Sequence, residues 1–143
     1  MKKKLNCVWL VDDDKHDNFF HKIVLEDADI SDHIKILING KEALDFLTVK
    51  RKSGQSDSPC ARPELIFLDL NMPVMDGWEF LKNYQKFEDV QQGKIVIIIL
   101  TTSTNPADKK KAEKMIESGC FYHKPLTLKM INEIMQKHFP DYL

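Results

Sequence analysis

What this sequence has little of narrows its function before any motif is read. Excess charge of one sign is missing: 21 Lys and Arg stand against 22 Asp and Glu, a formal net charge of −1. That balance gives no hint of the basic stripe that a nucleic-acid-binding surface usually shows. Cysteine is scarce and odd in number. Cys7, Cys60 and Cys120 share no motif spacing, so three thiols in a reducing compartment are expected rather than a disulfide framework or a zinc site. The five histidines, His16, His21, His33, His123 and His138, are scattered without metal-ligand spacing. Long apolar runs are absent too, and Ile95 to Leu100 is far too short to span a bilayer. Met1-Lys2-Lys3-Lys4 begins like a signal peptide. The apolar stretch after it is broken by Asn6 and closed by Asp12-Asp13-Asp14, so a cytoplasmic protein is expected.

What is present reads as one soluble domain. The chain has 143 residues, 43% hydrophobic and 30% charged, which is enough to bury a proper core and leave a polar surface. Leu5 to Val11 is an apolar run of strand length that ends on acids. Lys15 to Asp29 carries Phe19, Phe20, Ile23, Val24 and Ala28 at helical spacing. His33 to Ile38 predicts a second strand, Asn39-Gly40 a break, and Ala43, Leu44, Phe46 and Leu47 a second helix reaching Lys50. A polar loop, Ser53 to Pro59, leads to a third strand over Glu64 to Asp69.

Asp76-Gly77 marks a turn and a helix start, with the helix over Trp78 to Phe87. Lys94 to Thr101 predicts a fourth strand, apolar along its middle, so both of its faces must be covered. Pro106 suits the first turn of a helix that runs to Glu117 or Ser118 and stops at Gly119. Cys120 to His123 predicts a short fifth strand. Thr127 can cap a last helix bearing Leu128, Ile131, Ile134, Met135 and Phe139. Strand and helix alternate five times without an internal repeat. This predicts an α/β fold: a five-stranded parallel sheet with helices on both faces, using residues 5 to 139 as a single domain.

In such sheets ligands bind beyond the carboxyl ends of the strands. The first strand ends in Asp12-Asp13-Asp14, the third in Asp69, the fourth in Thr101-Thr102-Ser103 and the fifth in Lys124-Pro125. Acids, hydroxyls and one ammonium therefore converge on one edge. Several carboxylates in close quarters cannot all stay ionised without a cation. Hard oxygen donors with no His or Cys in the pattern select Mg²⁺ or Mn²⁺, and Mg²⁺ so held leaves room for a phosphate oxygen. A carboxylate there is a nucleophile able to form an acyl phosphate.

"VDDD", "LDLNMPVMDG", "LTTS" and "KPL", each after its strand and in this order, resemble the receiver domains of two-component response regulators. The resemblance covers nearly the whole chain. The long polar insert before the third strand and "LTTSTNPAD" are similar to stand-alone receivers that partner phytochrome-type histidine kinases. The resemblance implies a doubly wound, CheY-like (βα)5 flavodoxin-like fold with strand order 2-1-3-4-5, and a single receiver domain over 1–143 with no output domain.

Residue by residue, the resemblance implies that Asp69 is the phosphoryl acceptor. Asp13 would bind Mg²⁺ directly and Asp12 through water, with Asp69 and the backbone carbonyl of Asn71 completing the set. Lys124 would contact a phosphate oxygen, in a family where the Lys124–Pro125 bond is cis. Thr101 would be the switch hydroxyl, taken over Thr102 because it directly follows the apolar run. Phe121 would be the rotating aromatic, with Tyr122 as the alternative on the opposite face. Asn71 and Ser103 would line the path of the hydrolytic water. The donor would be a sensor histidine kinase or a phosphotransfer protein. The readout would be the surface of the fourth helix, fifth strand and fifth helix, through a downstream protein or self-association.

Two other readings use parts of this pattern. A Mg²⁺-dependent phosphatase of the haloacid-dehalogenase type also uses a strand-end Asp. It needs a second Asp two residues on, where this chain has Asn71. A flavodoxin-like nucleotide binder needs a Gly-rich loop where this chain has Asp12-Asp13-Asp14, which repels phosphate unless a metal intervenes.

Overall fold

The computed structural model describes residues 3–53, 60, 62–88, 95–116 and 119–142. The strands are β1 (Leu5–Val11), β2 (Ser31–Leu37), β3 (Leu65–Leu68), β4 (Val96–Thr101) and β5 (Phe121–His123). The helices between and after them are α1 (Lys15–Ala28), α2 (Gly40–Ser53), α3 (Gly77–Glu88), α4 (Pro106–Met115) and α5 (Leu128–His138), with a closing 3-10 turn at Pro140–Tyr142. The strand boundaries fall within two residues of those the periodicity predicts. Residues 54–59 of the polar loop, Lys94 and residues 117 and 118 lie outside the described residues.

All pairings are parallel and the strand order is β2-β1-β3-β4-β5. The order reverses between β1 and β3, so their carboxyl ends lie side by side at the switch point. Alternation sorts each strand onto two cores. Trp9, Val11, Ile66, Leu68, Ile97 and Ile99 pack with Phe80, Leu81 and Ala112 beneath α2, α3 and α4. Leu10, Phe67, Ile98 and Leu100 pack with Leu25, Ile131, Ile134 and Met135 beneath α1 and α5. Each fully buried Leu, Ile or Phe contributes roughly 1.5–3 kcal/mol, which offsets the cost of seating charges at the sheet's rim.

The helix starts are capped as their sequences suggest. Asp14 Oδ1 accepts from the backbone N–H groups of His16 and Asp17, and Thr127 Oγ1 accepts from that of Met130. Asn105 caps α4 with Pro106 behind it, and Asp76 Oδ1 accepts from the Glu79 N–H. The chain ends α4 at Met115, earlier than expected, and Gly119 sits beyond it at φ +86°.

Two expectations meet a different arrangement. Cys7 and Cys60 form a disulfide, whereas spacing pointed to three separate thiols. The sheet supplies the reason. β1 and β3 are neighbours, the Glu64 N–H donates to the Cys7 carbonyl, and the connection before β3 therefore passes the amino end of β1. Cys120 is buried, 3.6 Å from His138 Nε2. The second difference is in α1. Phe19, Phe20 and Ile23 are 70%, 49% and 41% exposed, while Asn18, His21 and Leu25 face inward.

Candidate functional site

The acids of β1 divide their work. Asp14 is spent on capping α1, which leaves Asp12 and Asp13 for the rim. Asp12 is buried, its Oδ1 accepts from the Asp14 N–H, and its carbonyl accepts from Asn18 Nδ2 at 2.8 Å. This accounts for a polar residue on the inner face of α1: it satisfies backbone that the site leaves open. Asp69 follows β3 and is 7% exposed. Gly77 permits that depth, since a Cβ there would lie 2.5 Å from the Asp69 carbonyl oxygen.

One carboxylate oxygen from each of Asp12, Asp13 and Asp69 lies within 4.8 Å of the others. Burial first, then the charge of Asp12, pushes the Asp69 carboxyl up to about 7. Hard oxygens in this number and at this spacing fit an octahedral divalent cation, which would relieve the repulsion. Lys124 reaches in from the end of β5. Its Nζ lies 2.6 Å from Asp12, 2.7 Å from Asp17 and 3.7 Å from Asp69. Burial alone would lower the pKa of this ammonium. Hydrogen bonds to Asp12 and Asp17 and the charge of Asp69 outweigh it and hold the pKa above its ordinary value. The Lys124–Pro125 bond is cis.

An open cleft of about 580 Å³ brings Asp12, Asp13, Asp69, Asn71 and Lys124 together, with Thr102 at its edge. Thr101 and Ser103 stand back from it. Thr101 is fully buried at the end of β4, and its Oγ1 accepts from the Ser103 N–H at 3.1 Å. The Ser103 hydroxyl pairs with the Asp108 carboxylate of α4 and accepts from the Asn105 N–H. Phe121 packs on the α3/α4 side of the sheet and Tyr122 on the α1/α5 side, so the two aromatics face opposite ways. Sequence reasoning missed Asp17. Its only sequence signal is an acid one turn into the helix that follows the acids of β1.

The sequence model of the response regulator receiver domain matches residues 8–136. The chain is a response regulator receiver domain. This receiver is 33% identical over 129 residues to the response regulator Rcp1 of Synechocystis, an alignment spanning 90% of this chain and 83% of Rcp1. Its fold superposes on a two-component response regulator from Cytophaga hutchinsonii with a TM-score of 0.80 at 26% identity, covering 94% and 97% of the two chains. A structure described as the Mn²⁺-bound form of Rcp1 superposes with a TM-score of 0.70 at 32% identity, covering 91% of each chain. The receiver therefore acts as a signalling switch in two-component signalling. Among its described residues no helix is long and apolar enough to cross a membrane.

Proposed function

We propose that this receiver accepts a phosphoryl group on Asp69 from the phosphohistidine of a sensor kinase or phosphotransfer protein. One observation carries the reading: a buried carboxylate lies within 4.8 Å of two others and 3.7 Å from a lysine ammonium, at the sheet's switch point. An Asp69 oxygen attacks phosphorus as the bond to the donor's imidazole nitrogen breaks, and that nitrogen keeps the electron pair and takes a proton. Asp13, Asp12 through water, Asp69 and the Asn71 carbonyl would hold Mg²⁺, which would supply charge neutralisation for the transferring oxygens. Lys124 adds a fixed positive charge on the same side. The product is a mixed anhydride, and hydrolysis resets it, with Asn71 lining the water's path. Ser103 joins that path only by giving up its bond to Asp108.

Negative charge on Asp69 draws the Thr101 hydroxyl inward and away from the Ser103 N–H. That change passes to the start of α4 through Asn105 and Asp108, and to β5 through Phe121. The altered α4–β5–α5 surface would be read by a downstream protein or a second copy. The donor's docking place is the exposed stripe of Phe19, Phe20 and Ile23 on α1, the helix that starts at the acid rim. A kinase donor using ATP places the reaction in the cytoplasm. There the Cys7–Cys60 pair would stand reduced.

Incubation with acetyl phosphate and Mg²⁺, followed by intact mass, tests the reading. A single hydroxylamine-labile phosphoryl adduct is expected, and none in Asp69→Asn. An adduct that survives in that variant, or no adduct on the native chain, would discard it. Fast turnover of phosphoesters would favour the phosphatase instead, although position 71 holds no acid.

A further inference from the structure

Lys124 is held by more acid than phosphoryl transfer calls for. Its ammonium has three N–H donors. Two are taken, by Asp12 at 2.6 Å and Asp17 at 2.7 Å. The 3.7 Å to Asp69 exceeds a hydrogen bond, so the third donor stays available on that side. The two holding acids differ in kind. Asp12 belongs to the three-carboxylate cluster and Asp17, among the described residues, does not. A cation in the cluster therefore draws on the charge of Asp12 that steadies Lys124, and leaves Asp17 untouched.

We infer that Asp17 is a positioning residue: it anchors Lys124 independently of the cation, so that the ammonium is not held by the metal-binding carboxylates alone and keeps one N–H donor free for an oxygen carried on Asp69. The inference rests on reading Asp69 as the phosphoryl acceptor. Without Asp17, the ammonium turns wholly to Asp12 and Asp69, the acids the cation needs. Lysine and cation then compete for the same oxygens. A plainer role exists for Asp17: it lies in the first turn of α1, where any acid favours the helix dipole. That role changes helix stability alone.

The test compares the native chain with Asp17→Asn and Asp17→Glu. Calorimetric titration of the metal-free proteins with Mg²⁺ should show affinity falling roughly tenfold in Asp17→Asn and largely restored in Asp17→Glu. At saturating Mg²⁺ and acetyl phosphate the phosphorylation rate should fall in the first variant and recover in the second. In metal-free protein, the slowly exchanging Lys124 ammonium signal in nitrogen-edited NMR should be present in the native and Asp17→Glu chains and lost in Asp17→Asn. If Asp17→Asn melts earlier but keeps native Mg²⁺ affinity, rate and ammonium signal within twofold, only the dipole role stands and the inference falls. A native chain that takes no phosphoryl group overturns the acceptor reading instead, and the Mg²⁺ titration and ammonium signal still judge Asp17.

Discussion

Asp69 answers to two opposed demands. As a nucleophile it must be ionised, yet burial and the neighbouring Asp12 push its carboxyl up to about 7. A divalent cation reconciles them by favouring the ionised form. Metal-free folded protein keeps the Asp69 proton up to about pH 7, whereas an unfolded chain releases it near the ordinary carboxyl value of 3.8. The raised value contributes stability in full below the unfolded pKa, and that contribution is lost as pH rises toward 7. In urea titrations without metal, native stability relative to Asp69→Asn should therefore decline between about pH 4 and 7. Mg²⁺ must displace the proton, so its affinity should climb with pH, by roughly tenfold per unit below 7 for one proton released. A calorimetric Mg²⁺ affinity that stays flat from pH 5.5 to 7.5 would contradict this account of Asp69. At this scale the sequence was legible for Asp12, Asp13, Asp69 and Lys124, because charge at a strand's end is costly and visible. It was not legible for Asp17 or for the Ser103–Asp108 pair, which look like ordinary acids and a loop serine until the fold sets them beside partners.

At the scale of the element, α1 departs most from its sequence pattern. Helical spacing marked Phe19, Phe20, Ile23, Val24 and Ala28 as apolar positions; Val24 and Ala28 do pack against the core, and spacing alone does not say which way the other three turn. The inner face went to Asn18 and His21 because α1 lies behind the acid rim, where the Asp12 carbonyl needs a donor. The cost is a surface stripe of two phenylalanines and an isoleucine that folding leaves uncovered. Monomers rarely keep such a stripe without a partner for it. The charge substitutions Phe19→Glu and Ile23→Glu lie on the outer face and remove little core. They should slow phosphoryl transfer from the cognate kinase or phosphotransfer protein by at least roughly tenfold, the loss of one buried anchor at an interface. Acetyl phosphate has no docking surface, so its transfer to the same variants should keep its native rate. Equal slowing with both donors would place the defect in the acid site and remove α1 as the docking element. The other helices were easier to read. Thr127 and Asp76 lie directly before amphipathic runs and cap them, and Pro106 marks the first turn of α4, which Asn105 caps.

For the whole molecule, the parallel sheet gives the two ends different tasks. Every strand delivers its last residue to the same edge, so acids distant in sequence meet there, and strand alternation with charged ends made this convergence legible. The amino-terminal edge carries no such constraint, and its main feature escaped the sequence. Cys7 and Cys60 are 53 residues apart, and only the adjacency of β1 and β3 brings them together. Closing a loop of that length removes conformational entropy from the unfolded chain, by about 4 kcal/mol in the chain-entropy estimate. Native contacts at the rim do not depend on it, because Cys7 stands near the start of β1 and Asp12 follows its end. Reduction should therefore lower the urea midpoint while Mg²⁺ affinity and acetyl phosphate reactivity stay native. The Cys7→Ala, Cys60→Ala variant should match the reduced protein, since both lack the same cross-link. If oxidised and reduced chains unfolded at the same midpoint, the bond would have no hold on the unfolded state. If reduction instead abolished Mg²⁺ binding, the two ends of the sheet would be coupled, and the division of labour between them would be wrong.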